Sequence, residues 1–396
     1  MNRRDFARTT LLASAMPGLV RAQDSGEIVS VGVIGHTGRG EFGHGVDTLW
    51  VRHPETVVVA VADAGPGGLA KAGERLGLAD DGRFADYRAM LTTASPDIVA
   101  VCPRHLDQHA EMLLAAIASG ARGIYVEKPF VRTPAEADAV LAAAEAQGTK
   151  IAIAHRNRYH PVLPTIAGLV ADGTLGNLLE IRGRGKGDRR GGAEDLWVLG
   201  SHVLNLMAYF GGAATACSAE LLQEGKRVTA ADVHDGPEGL GPIAGNAVHA
   251  RYPMGDGLVG YFDSLANDGT GGAGFGLQLV GSEGLINFQC DQNPLAYHVP
   301  GNPFAQTKAA RPWVPISTAG IGRPEPRPDD VAAVYHHDAA ARDLIAAIRD
   351  DRAPLCDAAQ GAATVEMICA AFASHRHDSC SVRLPLENRG NALAGW

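Results

Sequence analysis

Two residues of this 396-residue chain have the type and position to handle charge and protons. Lys128, one of only six lysines, stands between Glu127 and Pro129, directly after the apolar run Ile124–Val126. Such a run reads as a buried strand, so the ammonium is delivered to a strand end, where parallel sheets collect their ligands. The plain alternative is a surface lysine closing a strand. His202 lies in EDLWVLGSHVLNLMAYFG, Glu194–Gly211, which reads as a helix. An imidazole there can exchange a proton near neutral pH, or can be a satisfied core residue. A third constellation is the turn after Val29–Ile34, where Gly35, Gly38, Gly40, Gly43 and Gly45 fall within eleven residues. A buried strand running into such a turn and then a helix aims backbone N–H groups at a pyrophosphate. Gly35 and Gly40 fit the first and third glycines of G-x-G-x-x-G, but Thr37 occupies the second place, and Gly38 supplies the close approach instead. Gly35, Thr37, Gly38, Arg39 and Gly40 are therefore the candidate phosphate contacts; a glycine-rich surface loop is the alternative.

The surrounding elements alternate. Val46–Val51 is expected as a helix and Thr56–Ala62, TVVVAVA, as a second strand closed by Asp63. An acid at that point can accept ribose hydroxyls and would repel a 2′-phosphate, which favours NAD over NADP. A helix at Leu69–Leu76, a strand at Ile98–Val101 ending on Cys102–His105, and a helix from Asp107 to Ser119 follow. The strand Ile124–Val126, a helix at Pro134–Gln147 and a strand at Ile151–Ala154 complete the array. This pattern predicts a Rossmann-type parallel sheet over residues 27–154. Asp63, Cys102–His105 and Glu127–Pro129 all fall at its carboxyl ends. Beyond it, polar-interrupted strands are expected at Leu178–Arg184, Cys217–Leu222, Asn246–Tyr252, Leu258–Ser264, Gly276–Val280 and Leu285–Phe288. Pro300–Pro328 reads as a long loop, Val331–Asp350 and Ala358–Arg376 as helices, and Ser381–Leu386 as a last strand.

The glycine turn, the acidic second-strand end, the strand ending near Pro103 with His109 after it, and Glu127-Lys128-Pro129 together resemble the Gfo/Idh/MocA oxidoreductases. The resemblance covers nearly everything after residue 22. It implies an α/β Rossmann domain followed by an α+β domain, residues 155–396, with an open, mostly antiparallel sheet. It also implies that Pro103, His109 and Glu127 lie at the cofactor. Lys128 would contact the nicotinamide region and the substrate hydroxyl, steadying the alkoxide as hydride leaves, and His202 would handle the proton. Members of that family carry an aspartate four residues before this histidine and an acid three after it. Here those places hold Val198 and Asn205. Asp188, Glu194 or Asp195 could substitute, or Lys128 and His202 could work as a pair. Arg156, Asn157 and Tyr159, in RNRYHP after the last Rossmann strand, are candidates to line the substrate cleft.

The expected function is NAD(P)-dependent oxidation of a hydroxyl on a sugar, polyol or glycoside. Two other readings stand beside it: a redox-neutral, NAD-assisted hydrolase, lyase or epimerase that keeps its cofactor, and a non-catalytic dinucleotide-binding sensor. Residues 1–22, with Arg3-Arg4-Asp5-Phe6, a short apolar stretch and Val20-Arg21-Ala22, read as a twin-arginine export signal, hence a periplasmic enzyme exported folded. That segment has four arginines against one aspartate, so its removal takes the formal charge from -9 to -12. Nucleic acid and anionic membrane are poor partners for such a chain. A homo-oligomer is expected by analogy with the family. The six cysteines form no C-x-x-C pair, and His105–His109 lacks the glutamate of a zinc-protease helix, so no metal is expected.

Overall fold

The computed structural model describes residues 28–396; the expected export signal lies outside the described residues. The first sheet has six parallel strands in the order β3-β2-β1-β4-β5-β6. They are β1 Val29–Ile34, β2 Thr56–Ala62, β3 Arg83–Phe84, β4 Ile98–Val101, β5 Gly123–Val126 and β6 Lys150–Ile153. The strand order reverses between β1 and β4, which opens a crevice at their carboxyl ends. All four residues of β4 and of β5 are buried, as expected for strands covered on both faces. β3 was not anticipated, being only two residues long.

The second sheet contains eleven strands. Its centre is β7 Leu178–Arg184, which pairs in parallel with the strand Val259–Leu265 and antiparallel with the strand Gly276–Gly281. Every other pair in this sheet is antiparallel. Along β7, Ile181 and Gly183 face inward while Arg182 and Arg184 are exposed, the alternation of a sheet wetted on one side. Helices Gly200–Gly211 and Ala358–Arg376 cover the inner face. Gly183 is small because an added Cβ would come within 2.7 Å of Val203.

Several expected elements differ, each for a local reason. The helix after the glycine turn is only Leu49–Arg52, because Gly43 and Gly45 take positive φ and hold the preceding stretch in turns. The expected helix Val331–Asp350 divides into Pro328–Tyr335 and Asp338–Arg349 at His337, which is left-handed with φ 63°. Glu194–Gly211 divides into Ala193–Val198 and Gly200–Gly211 around Leu199. Strands Ala296–Pro300, Val314–Ser317 and Gly320–Ile321 lie where no strand was expected, and the last strand shrinks to Val382–Arg383. All six cysteines are free.

Candidate functional site

At the first crevice the turn is bound to itself. Asp63 is buried at the end of β2 and accepts the backbone N–H of Thr37 at 3.1 Å, the Thr37 hydroxyl at 2.6 Å and the Gly65 N–H at 2.8 Å. The expected ribose acceptor therefore anchors the turn in this structure. Gly68 lacks a side chain where Thr37 sits, and Phe42 fills the space over Gly35. The Gly38 N–H donates to the exposed Glu41 carboxylate at 3.0 Å, and Arg39 pairs with Asp107. Gly40, at φ 92°, lies flush against the backbone of Arg104 and His105. Beside the turn is a cleft of about 620 Å³ lined by Thr37, Glu41, Gly65, Gly67, Lys71 and Arg75. These residues fit a dinucleotide phosphate. No atom lies within 4 Å of where a Cβ on Gly38 would be, and two exposed cations, Arg39 and Lys71, stand near.

At the end of β5, Glu127 is buried and accepts from the His44 N–H at 3.2 Å and the Lys128 N–H at 2.9 Å, with His44 Nδ1 at 2.8 Å. Burial alone would raise its pKa; the His44 hydrogen bond and the charge of Lys128 outweigh it and bring it to about 2. Glu127 is thus a fixed anion that ties the glycine segment to the lysine. The Lys128–Pro129 peptide is cis. His109 is buried beneath, with Nε2 at 2.7 Å from the Pro103 carbonyl and Nδ1 at 3.0 and 3.1 Å from those of Pro129 and Phe130. It fastens β4's exit to the turn that carries Lys128. Burial lowers the Lys128 pKa, against the raising effect of Glu127, Glu238 and Asp291.

The Lys128 ammonium donates to the Val198 carbonyl at 3.0 Å. That carbonyl is available because the helix breaks: the His202 N–H, its partner in an unbroken α-helix, bonds Leu199 O instead. At Val198, where the resemblance implies an aspartate, the chain offers a main-chain oxygen. An ammonium has three donors, so two remain for a ligand.

His202 meets not an acid but a second histidine. His155, just past β6, faces it with Nδ1 to Nδ1 at 3.3 Å and ring planes at 82°. Phe275 also packs against His202, its ring centre 5.9 Å away. Burial and the charge of Lys128 push His155 down to about 3; burial, His155 and Lys128 push His202 well below the ordinary value. Both rings are neutral bases.

The remaining candidates separate. Arg156 donates to Asp291 at 2.7 Å, and Asn157 exchanges two 3.0 Å hydrogen bonds with Asp291, so this pair ties the segment after β6 to Asp291. Tyr159 is core: its hydroxyl donates to Ile153 O at 3.2 Å and Cys356 O at 3.4 Å. Asp188 is taken up by Arg190, which holds it at about 2. Asp195 is fully buried, accepts from Ser264 at 2.6 Å, leaves Oδ1 without a partner, and is raised by burial. Glu194 is half-buried and likewise raised. The charged and polar groups acting on His202 are His155, Lys128, Arg156 and His44, none of these three acids among them. Sequence reasoning missed His155, Asp291 and Glu238. His155 carried a signal, since it ends β6 as Lys128 ends β5. Among the described residues no group of three or more His, Cys, Asp or Glu could hold a metal ion.

Comparison with known proteins gives the architecture relatives. Residues 29–155 match the model of an oxidoreductase family with an NAD-binding Rossmann fold, GFO_IDH_MocA. Over 119 residues the chain is 29% identical to D-apiose dehydrogenase of Paraburkholderia graminis, covering 30% of this chain and 31% of that enzyme. Levoglucosan dehydrogenase in complex with NADH and levoglucosan superposes with TM-score 0.68 at 20% identity, covering 90% of this chain and 99% of that one. An NAD-binding oxidoreductase from Klebsiella pneumoniae gives TM-score 0.66 at 19% identity, covering 90% and 99%. At such identities the likeness is one of fold, and it extends through both domains.

Proposed function

We propose that this chain is an NAD-dependent oxidoreductase of the Gfo/Idh/MocA kind, acting on a hydroxyl of a sugar, polyol or glycoside; the match of residues 29–155 to that family's NAD-binding Rossmann model supports the reading. The observation that carries the reading is the meeting of a desolvated lysine with a neutral histidine pair at the carboxyl edge of the parallel sheet. Bound NAD would supply a hydride acceptor. Gly38 and Arg39 would hold its phosphates after Glu41 and Asp107 release them, while Thr37 stays on Asp63 and keeps the turn in shape. The two uncommitted N–H donors of Lys128 hydrogen-bond the substrate oxygen and stabilise the charge it develops. His202 takes the hydroxyl proton; a base already neutral at pH 7 needs no prior deprotonation. The relatives' substrates, D-apiose and levoglucosan by their names, support a carbohydrate.

The test is to incubate purified protein with NAD and a panel of sugars, polyols and glycosides and follow NADH. Accumulation supports the dehydrogenase. Conversion of a glycoside without added NAD and without NADH would replace it by the redox-neutral reading. No NADH and no product from any member of the panel would overturn both. Export in folded form is part of the proposal, resting on Arg3-Arg4 and testable by fractionating cells that produce the chain. So is self-association through the open sheet face, supported by the half-exposed Trp313 beside Arg182 and Asn287 and testable by light scattering.

A further inference from the structure

We propose that His155 is the positioning residue for proton transfer: its Nδ1 accepts the Nδ1–H of His202, so that His202 offers an unprotonated Nε2 to the substrate hydroxyl. The inference rests on the function proposed above. Two facing Nδ1 atoms at 3.3 Å share one proton, because two lone pairs or two N–H groups would repel at that distance. The rings meet edge to face, His202 also packs against Phe275, and both histidines are buried, so neither ring can turn away without disturbing the core. Taking a proton at Nε2 requires the shared proton to lie on His202.

The carbinol oxygen would then give its proton to His202 Nε2, with a bound nicotinamide supplying the acceptor for the carbon's hydride. His202 afterwards carries two N–H groups, one still donating to His155. A carboxylate in this place would stabilise the imidazolium as an ion pair; a neutral imidazole orients without adding charge. Lys128, Arg156 and His44 face the pair as groups lowering proton affinity, and Glu127 opposes them at His155. The result is a base that stays unprotonated in mild acid, so the acid limb of kcat/KM should lie below pH 6.5, the ordinary histidine value.

The experiment compares His155→Phe, His155→Gln and His155→Glu with the wild type by pH profile, kcat, KM and NADH binding. Removing the acceptor in His155→Phe should cost about 10- to 100-fold in kcat with KM and NADH binding little changed. His155→Gln, whose carbonyl can accept the same hydrogen bond, should recover most of the loss. His155→Glu should move the acid limb upward by a unit or more. Nitrogen-15 NMR of the imidazoles should find His202 protonated at Nδ1 in the wild-type protein. Equal kcat in wild type and His155→Phe, or a His202 protonated only at Nε2, would overturn the proposal. Should the wild type oxidise no carbohydrate, the function fails, and the NMR tautomer decides the pairing by itself.

Discussion

The glycine turn and the Lys128 cleft lie along one sheet edge and treat charge in opposite ways. In the turn, donors find carboxylates of the chain itself: Thr37 on Asp63, Gly38 on Glu41, Arg39 on Asp107. In the cleft, two neutral histidines face each other and, among the described residues, the lysine's hydrogen-bond partner is a carbonyl, with the Glu127 charge acting from nearby. Asp63 is buried and stays with Thr37, but the exposed Glu41 can give up Gly38 to a phosphate at little cost, because exposed contacts are weak. A site holding desolvated neutral bases keeps them reactive, at the expense of stability in acid. One region is arranged to receive a ligand, the other to act on one.

The strongest challenge to this contrast is His202→Asn. Loss of the base should lower kcat by about 10²–10⁴-fold, while dinucleotide affinity, read by fluorescence titration, stays as it was. Unchanged kcat would return His202 to the core. Lys128→Ala should cost about 10²–10³-fold in kcat/KM for the carbohydrate, again without loss of dinucleotide binding; a parallel loss of both would erase the division between the regions. The third test is pH. His155 and His202, with His160 and His337 at about 4, have folded pKa values below 6.5 because of burial. The unfolded chain then binds more protons, so the stability they contribute is present above 6.5 and is lost as pH falls toward 4. Each contributes about 1.4 kcal/mol per pH unit in that window. Calorimetry in steps from pH 7 to 4 should give a falling Tm, and a level profile would contradict the neutral histidines. The smallest effect concerns the turn. Glu41→Gln removes the competing charge at Gly38 and should tighten dinucleotide binding about two- to fivefold by isothermal titration; weaker binding would mean that Glu41 serves the cofactor.

The parallel sheet was legible because its strands are continuous apolar runs and its site residues sit where those runs stop. Lys128, Asp63 and the glycine turn followed from that rule alone. What escaped was set by contacts distant in sequence. His155 gains its meaning only against His202, and Tyr159 looks like a cleft residue until its hydroxyl is seen bonded to Ile153 and Cys356. The helix break at Leu199, which frees the Val198 carbonyl, has one local mark, Gly200 directly after it, and a single glycine inside an apolar helical pattern does not outweigh the periodicity. His337 gave no sign that its ring would enter the core to meet Tyr125 at 2.6 Å.

That last contact reaches beyond its immediate neighbourhood. Tyr125 belongs to β5, the strand that delivers Lys128, and His337 opens the helix Asp338–Arg349 near the far end of the sequence. Ile348 of the same helix presses on Gly123, and Cys356 O accepts the Ile153 N–H at the border of β6. The amino-terminal sheet thus borrows its outer wall from the carboxyl-terminal quarter of the polypeptide. A fragment ending at residue 155 would expose the underside of the strand that bears the lysine, so the two halves should melt together and resist being expressed apart.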